Sequence, residues 1–156
     1  MALHRFGDVR IVDSTPTLGT GGVDAGDVLA ETTQVEQMIR ETGRGALLTS
    51  LVIVDDDDVG GDLNIVLFDS NVALGTADSA PSISDADADQ ILGIVNVATY
   101  VDLGGVKIAT VTDINIPLRA VGDTVSVQDI YYGIIDNTGS TYTASGITLR
   151  FGILDT

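Results

Sequence analysis

Apolar residues recur with a period of two along most of this chain, a pattern that favours strands over helices. Leu63, Ile65 and Leu67 share one parity; so do Ile130, Tyr132 and Ile134, and so do Ile147, Leu149, Phe151 and Ile153. Successive side chains of a strand point to opposite faces, so each row reads as the buried side of a strand. Residues 46–54 form a nearly continuous apolar run that stops at Asp55-Asp56-Asp57-Asp58 and Gly60-Gly61. With the Leu63 row, it predicts a hairpin around a long acidic turn. Val106, Ile108, Ile114, Ile116 and Leu118 form another row, opposite Lys107, Asp113, Asn115 and Arg119. Pro117 falls on that polar side, which predicts an edge strand because proline cannot donate to a ladder. Val125 and Val127 are out of phase with Ile130, and a bulge near Gln128 would explain the switch. Asp136-Asn137-Thr138-Gly139 reads as a further hairpin turn.

Two stretches carry helical signals. Ser84-Asp85-Ala86-Asp87 fits a capping box opening a short helix to about Leu92. Between 27 and 41, Val28, Thr32, Val35 and Ile39 fall at helical spacing, while Thr32-Thr33 and the valines also suit a strand; periodicity alone slightly favours helix. The whole reads as an all-β, antiparallel β-sandwich, jelly-roll-like, with seven or eight strands and one short helix. Its length of 156 residues fits one domain able to hold its own core. With no Trp and 4% aromatic residues, that core is made of Val, Ile, Leu and Ala.

Residues 1–26 stand apart. They hold short apolar patches at Phe6 and Val9–Val12, the flexible Gly19-Thr20-Gly21-Gly22, and local positive charge at His4, Arg5 and Arg10. The expectation is an N-terminal arm over 1–26, ordered on docking, before a sandwich over 27–156. His4, Arg5, Phe6 and Arg10 are then the candidate residues for contact with a partner surface or a neighbouring subunit; a frayed terminus is the bland alternative.

The net charge is −16, from 23 acids, nearly all Asp, against seven bases. Such a surface repels phosphate and anionic lipid, so neither nucleic acid nor membrane is an expected partner. No cysteine is present, which excludes disulfides and zinc–thiolate sites. The N-terminus lacks the apolar run of a signal peptide, which predicts synthesis in a cytoplasm.

Catalytic readings fail one by one. His4 is the sole histidine and lies in the arm, where no third group would hold it for a triad. No Gly-x-Ser-x-Gly elbow occurs, and Asp24 stands where a dinucleotide fingerprint needs its third glycine. Paired carboxylates can hydrolyse glycosides, but a chain without Trp offers poor sugar platforms. Starting an EF-hand at Asp55 puts Val59 and Val66 at ligand positions, so that pattern fails and a looser calcium site is what remains. Asp85, Asp87 and Asp89 suit the first turn of a helix without any metal. The expectation is therefore no enzyme, no cofactor and no metal.

From about residue 45 onward the chain resembles the decoration, or cement, proteins that coat the capsids of tailed bacteriophages. The stretches that carry the likeness are Leu48-Thr49-Ser50-Leu51-Val52-Ile53-Val54-Asp55-Asp56-Asp57-Asp58 with Gly60-Gly61, and Ile65-Val66-Leu67-Phe68-Asp69-Ser70-Asn71-Val72-Ala73-Leu74-Gly75-Thr76. Ile83-Ser84-Asp85-Ala86-Asp87-Ala88, Tyr142-Thr143-Ala144-Ser145-Gly146 and Leu149-Arg150-Phe151-Gly152 complete it. The resemblance covers two-thirds of the chain and implies a β-sandwich bound to the phage major capsid protein on the capsid exterior. It further implies a homo-oligomer, a trimer before other states, and strand structure within 27–40, against the periodicity. No functional residue carries over, because these phrases look like core and turn. Two other readings stay open: another virion part, such as a head fibre or tail-tip module, and a calcium-dependent bacterial surface adhesion module.

Overall fold

The computed structural model describes residues 8–40, 45–119 and 129–156. Its strands form two antiparallel sheets. The strands are β1 (Val9–Ser14), β2 (Asp27–Val35), β3 (Ala46–Asp55), β4 (Leu63–Phe68), β5 (Ile91–Val97), β6 (Val101–Asp102), β7 (Lys107–Val111), β8 (Ile116–Leu118), β9 (Ile130–Asp136) and β10 (Ile147–Asp155). One sheet runs β1-β10-β3-β7-β6, with β8 also on β3; the other runs β2-β9-β4-β5. The pairs are nested: β1 with β10, β2 with β9, β3 with β7 and β8, β4 with β5. A long antiparallel ribbon rolled up in this way is a jelly roll, so the expected β-sandwich is what forms.

The period-two rows place the core. Leu63, Ile65 and Leu67 meet Ile130, Tyr132 and Ile134 within one sheet, and Ile147, Leu149, Phe151 and Ile153 face them from the other; all are buried. Tyr132 and Phe151 provide an aromatic contact between the sheets, ring centroids 5.5 Å apart and tilted by 59°. The four-stranded sheet is covered on its outer side too. Val72, Leu74 and Ile83 of the 69–83 loop pack on Val66, Phe68 and Val28, which explains the apolar run Ile65–Phe68 of β4. Thr32 Oγ1 donates to Val72 O and accepts from Leu74 N at 3.1 Å, fixing that loop.

Several expectations are corrected. Residues 46–67 are not a hairpin: β3 and β4 lie in different sheets, and the acidic turn arches between them. The Asp136–Gly139 turn likewise crosses from β9 to β10. In both places two apolar faces gain more by stacking than by lying side by side in one ladder. On β7 the buried residue is Ala109, with Lys107 and Val111 on its side, so the expected Val106/Ile108 row faces outward. Residues 27–35 are strand, as the family resemblance implies and the helical spacing does not. The helix α1 (Asp85–Ala88) is a single turn that ends short of Leu92, because β5 begins at Ile91. Ser84 is its N-cap, accepting from Asp87 N at 3.2 Å. Pro117 is exposed on β8 at the sheet margin, as expected. The region of the expected Gln128 bulge lies outside the described residues.

Residues 8–26 are not a detached arm. Val9–Ser14 pairs along its whole length with Ser14↔Leu149 to Val9↔Leu154 of β10. Leu18 and Val23 are buried in the main core, and Leu18 bridges to Ala30. The glycines near 19–22 made the segment look unstructured, but backbone bonds from Gly19 N to Leu29 O at 2.7 Å and from Val23 N to Ser140 O at 3.3 Å hold it.

Candidate interaction surface

At one end of the sandwich, where β3 and β9 finish and β2, β4 and β10 begin, aspartates gather: Asp24, Asp27, Asp55, Asp56, Asp57, Asp58, Asp62, Asp102 and Asp136, with Lys107. Most of them build turns. Asp55 is fully buried, and its carboxylate accepts from the backbone N–H of Asp57 (3.1 Å), Val59 (3.1 Å) and Gly60 (2.6 Å). Burial pushes its pKa up, against the pull of those three donors and with Asp57 adding to the rise. Asp136, also fully buried, does the same for the next arch, accepting from Thr138 N and Thr138 Oγ1 at 2.8 Å each and Ser140 N at 2.6 Å.

Several bonds fasten the acidic turn to the segment before β10, among them Asp56 N to Gly146 O at 2.8 Å and Thr143 Oγ1 to the Asp57 carboxylate at 2.9 Å. Asp57 Oδ2 accepts from Thr143 N at 2.6 Å, and the Tyr142 hydroxyl accepts from Gly61 N at 3.0 Å. Gly146 has no room for a Cβ, because the Asp57 carboxylate occupies that space. Lys107 Nζ donates to Asp58 O at 2.7 Å and lies 3.5 Å from Asp58 Oδ1. Asp62 Oδ1 accepts from Asn96 and Asn137 at 2.7 and 3.0 Å. Among the described residues no three His, Cys, Asp or Glu side chains converge as metal ligands would. The Tyr100 hydroxyl nearby is buried with no hydrogen-bond partner among them, and burial first, then the charges of this end, push its pKa far up, so it stays protonated.

Of the residues singled out in the sequence, His4, Arg5 and Phe6 lie outside the described residues. Arg10 stands on β1 with its guanidinium turned to its own chain. It makes a two-pronged pair with Asp155 (Nε–Oδ2 2.6 Å, Nη2–Oδ1 2.8 Å) and donates to Gln37 O at 3.1 Å and Met38 O at 3.0 Å. The pairing raises the Arg10 pKa and lowers that of Asp155. The other described cations also meet aspartates: Arg40 with Asp8, Arg119 with Asp69 and Arg150 with Asp13. Sequence reasoning had no means of finding these partners, which are up to 145 residues apart.

A shallow cleft of about 460 Å³ lies between the 15–18 segment and β2, lined by Thr15, Pro16, Thr17, Leu18, Glu31, Thr32, Thr33 and Ala77. Several of its polar groups already have partners: Thr15 Oγ1 with Thr148 Oγ1 at 2.9 Å, Thr33 Oγ1 with Glu31 O at 3.1 Å, and Glu31 Oε1 accepting from Ala77 N at 3.1 Å. No nucleophile and base are paired there.

No family model matches the chain, and no curated protein matches it. Among solved structures, the chain is similar to Desmodium yellow mottle tymovirus at 10% identity and a TM-score of 0.32, covering all of this chain and 91% of that one. It is also similar to infectious bursal disease virus, Gx strain, at 8% identity and a TM-score of 0.21, covering 96% of this chain and 38% of that one. Both scores are too low to carry an argument about this chain.

Proposed function

We propose that this protein is a decoration protein of a tailed-bacteriophage head: made in the host cytoplasm, it binds the outer surface of the major capsid protein as a homotrimer and stabilises the mature shell. The reading rests on the family resemblance, and one observation gives that resemblance physical content. Two of the shared phrases, separated by some 86 positions, meet in space: Asp57 of the first holds Thr143 of the second, and Gly61 holds Tyr142. In this chain, then, two of the phrases that carry the likeness form one contact, between the acidic arch and the segment before β10.

The polarity of the molecule suggests how it docks. Residue 8 lies beside Asp155, at the end of β10 away from the acidic arches. Residues 1–7, with His4, Arg5 and Phe6, are thus attached at that end, which we place toward the shell, with the acidic end toward solution. A ligand that binds only the expanded lattice stabilises it by mass action, and many sites per particle act together.

The test is sedimentation with undecorated capsids. The full chain should pellet with them and raise their melting temperature, and a chain lacking residues 1–7 should pellet less. Failure of the full chain to pellet, or its recovery with purified tails, would overturn the reading in favour of another virion part.

A further inference from the structure

We propose that the outer face of the six-stranded sheet is a docking surface, continuous with the end that carries residues 1–7, and that an apolar, uncharged surface of the major capsid protein covers it. The inference deepens the decoration reading and rests on it.

Strand parity defines the face. An antiparallel sheet packed on one side ordinarily alternates apolar inward with polar outward. β3 departs from that rule. Its inward Leu51 and Ile53 are fully buried, yet Leu47, Val52 and Val54 point the other way. The ladders carry this character across the sheet. At the end away from the acidic arches, Leu47 stands between Leu154 of β10 and Pro117 of β8, and Leu154 stands beside Val9 of β1. At the other end, Ile108 of β7 stands between Val54 and Val101. Val9, Ile11 and Val101 are 75%, 73% and 62% exposed. The apolar run of β4 is explained by the 69–83 loop on its outer side; among the described residues, neither buried cluster reaches over the outer side of β3.

Charge sets the face apart. The chain carries −16, yet the outward positions of these strands hold only two charged side chains, Asp13 and Arg150, which lie 3.6 Å apart and cancel. Covering the face therefore takes one ion pair out of water, and apolar contact is not offset by desolvation of unpaired carboxylates. Five strands at about 4.8 Å and six residues at about 3.3 Å give a face of about 24 by 20 Å, or about 480 Å². That is toward the upper end for the largest apolar patch of a monomer, and such patches are often functional. A standard interface takes about 800 Å² from each partner, so the adjoining end, where Val9 leads back to residues 1–7, supplies the remainder. The chain thus meets the shell with one end and one side, as a body standing in a notch does.

Symmetry argues against a second copy as the occupant. A face that meets its own copy gives a two-fold dimer, not the three-fold assembly of the decoration reading. A head-to-tail contact needs a second apolar face on the same molecule. The outer side of the other sheet is occupied by the 69–83 loop, and of the exposed large hydrophobics among the described residues only Ile94 lies on that sheet.

The chain has no cysteine, so one introduced thiol reports on its own position. Val101→Cys, on the face, and Ile94→Cys, on the other sheet, would be treated with a maleimide free in solution and on undecorated capsids. Both should react readily in solution. On capsids, Val101→Cys should become protected and Ile94→Cys should react as before. Ile11→Glu and Val101→Glu should each raise the concentration needed for half-maximal pelleting by about ten-fold or more. Their circular dichroism melts and light scattering should stay as in the parent, and Ile94→Glu should pellet like the parent.

Equal reactivity of Val101→Cys on and off capsids would overturn the inference and leave the decoration reading standing. Glutamate variants that pellet like the parent would do the same. Protection of Val101→Cys already in solution would mean that a second copy or the chain's own residues cover the face, which also overturns it. Should a glutamate variant melt lower than the parent, the thiol reactivities decide alone. A parent chain that does not pellet at all sinks the decoration reading, and this inference with it.

Discussion

Single aspartates hold the arches of this fold, and their removal should cost far more than a surface charge. Asp136→Ala leaves Thr138 N and Ser140 N without their acceptor in a buried place. Unsatisfied buried donors cost about 1–3 kcal/mol each, so a fall in melting temperature of at least about 5 °C is expected by calorimetry. Gly146→Ala should do similar damage by a different route. Its Cβ would evict the Asp57 carboxylate from Thr143, removing one of the fastenings of the acidic arch to the segment before β10. If either variant melts like the parent chain, the carboxylates are ornaments of the turns and not their anchors. Asp155 gives a pH signature. Arg10 holds its folded pKa below the ordinary value of 3.8, so its stabilisation is present above that value and fades as pH falls through the lowered one. Asp155→Asn should therefore melt several degrees lower at pH 7, and the gap should close progressively below pH 4. Asp55 runs the other way: its raised pKa means its share of stability is fullest in acid and declines as pH rises.

At the scale of elements, β1 decides what truncation does. Removing residues 1–22 takes away β1 and Leu18, exposes the flank of β10 and strips Asp155 of Arg10. Loss of Leu18 alone is a deletion of about 2–5 kcal/mol in kind. The shortened chain should lose its cooperative melt by circular dichroism, whereas removing residues 1–7 should leave the melt intact. A stable sandwich after the longer deletion would mean that β1 is an accessory. The sequence made this element hard to see. Val9, Ile11 and Asp13 point outward and only Arg10, Val12 and Ser14 inward, so an edge strand with an arginine on its inner side lacks the apolar alternation that marked β10. The inner rows of β4, β9 and β10 were legible because both neighbouring layers are apolar, and period two then has a single meaning. Whether two successive strands pair or stack was not legible. An arch and a hairpin share the same turn chemistry, and only the partners of Asp57 and Asp136 distinguish them. Of the candidate surface, the Asp55–Asp58 run was readable as a turn, while Thr143 carried no signal of its own.

Over the whole molecule the dominant fact is unbalanced charge. Each described cation lies against an aspartate, so the uncompensated remainder of the −16 is anionic, and much of it stands at one end. Like charges crowded on a compact body destabilise it, and salt screens them over about 10 Å at 0.1 M. Stability should therefore rise with ionic strength, by a few degrees between about 10 and 150 mM sodium chloride. Calcium is the discriminating ion. In a true site, two or more carboxylates would wait for it. Here Asp55 and Asp57 already accept from backbone N–H groups, and the Asp58 carboxylate faces Lys107. A metal would have to break those bonds before forming its own. Calcium and magnesium at equal ionic strength should then raise the melting temperature by the same small amount, and a chelator should not lower it. Selective binding would look different: with millimolar calcium, a rise of more than about 5 °C that magnesium does not reproduce corresponds to about 1–2 kcal/mol or more of site binding. That outcome would place an ion at the acidic end and make that end a functional site in its own right.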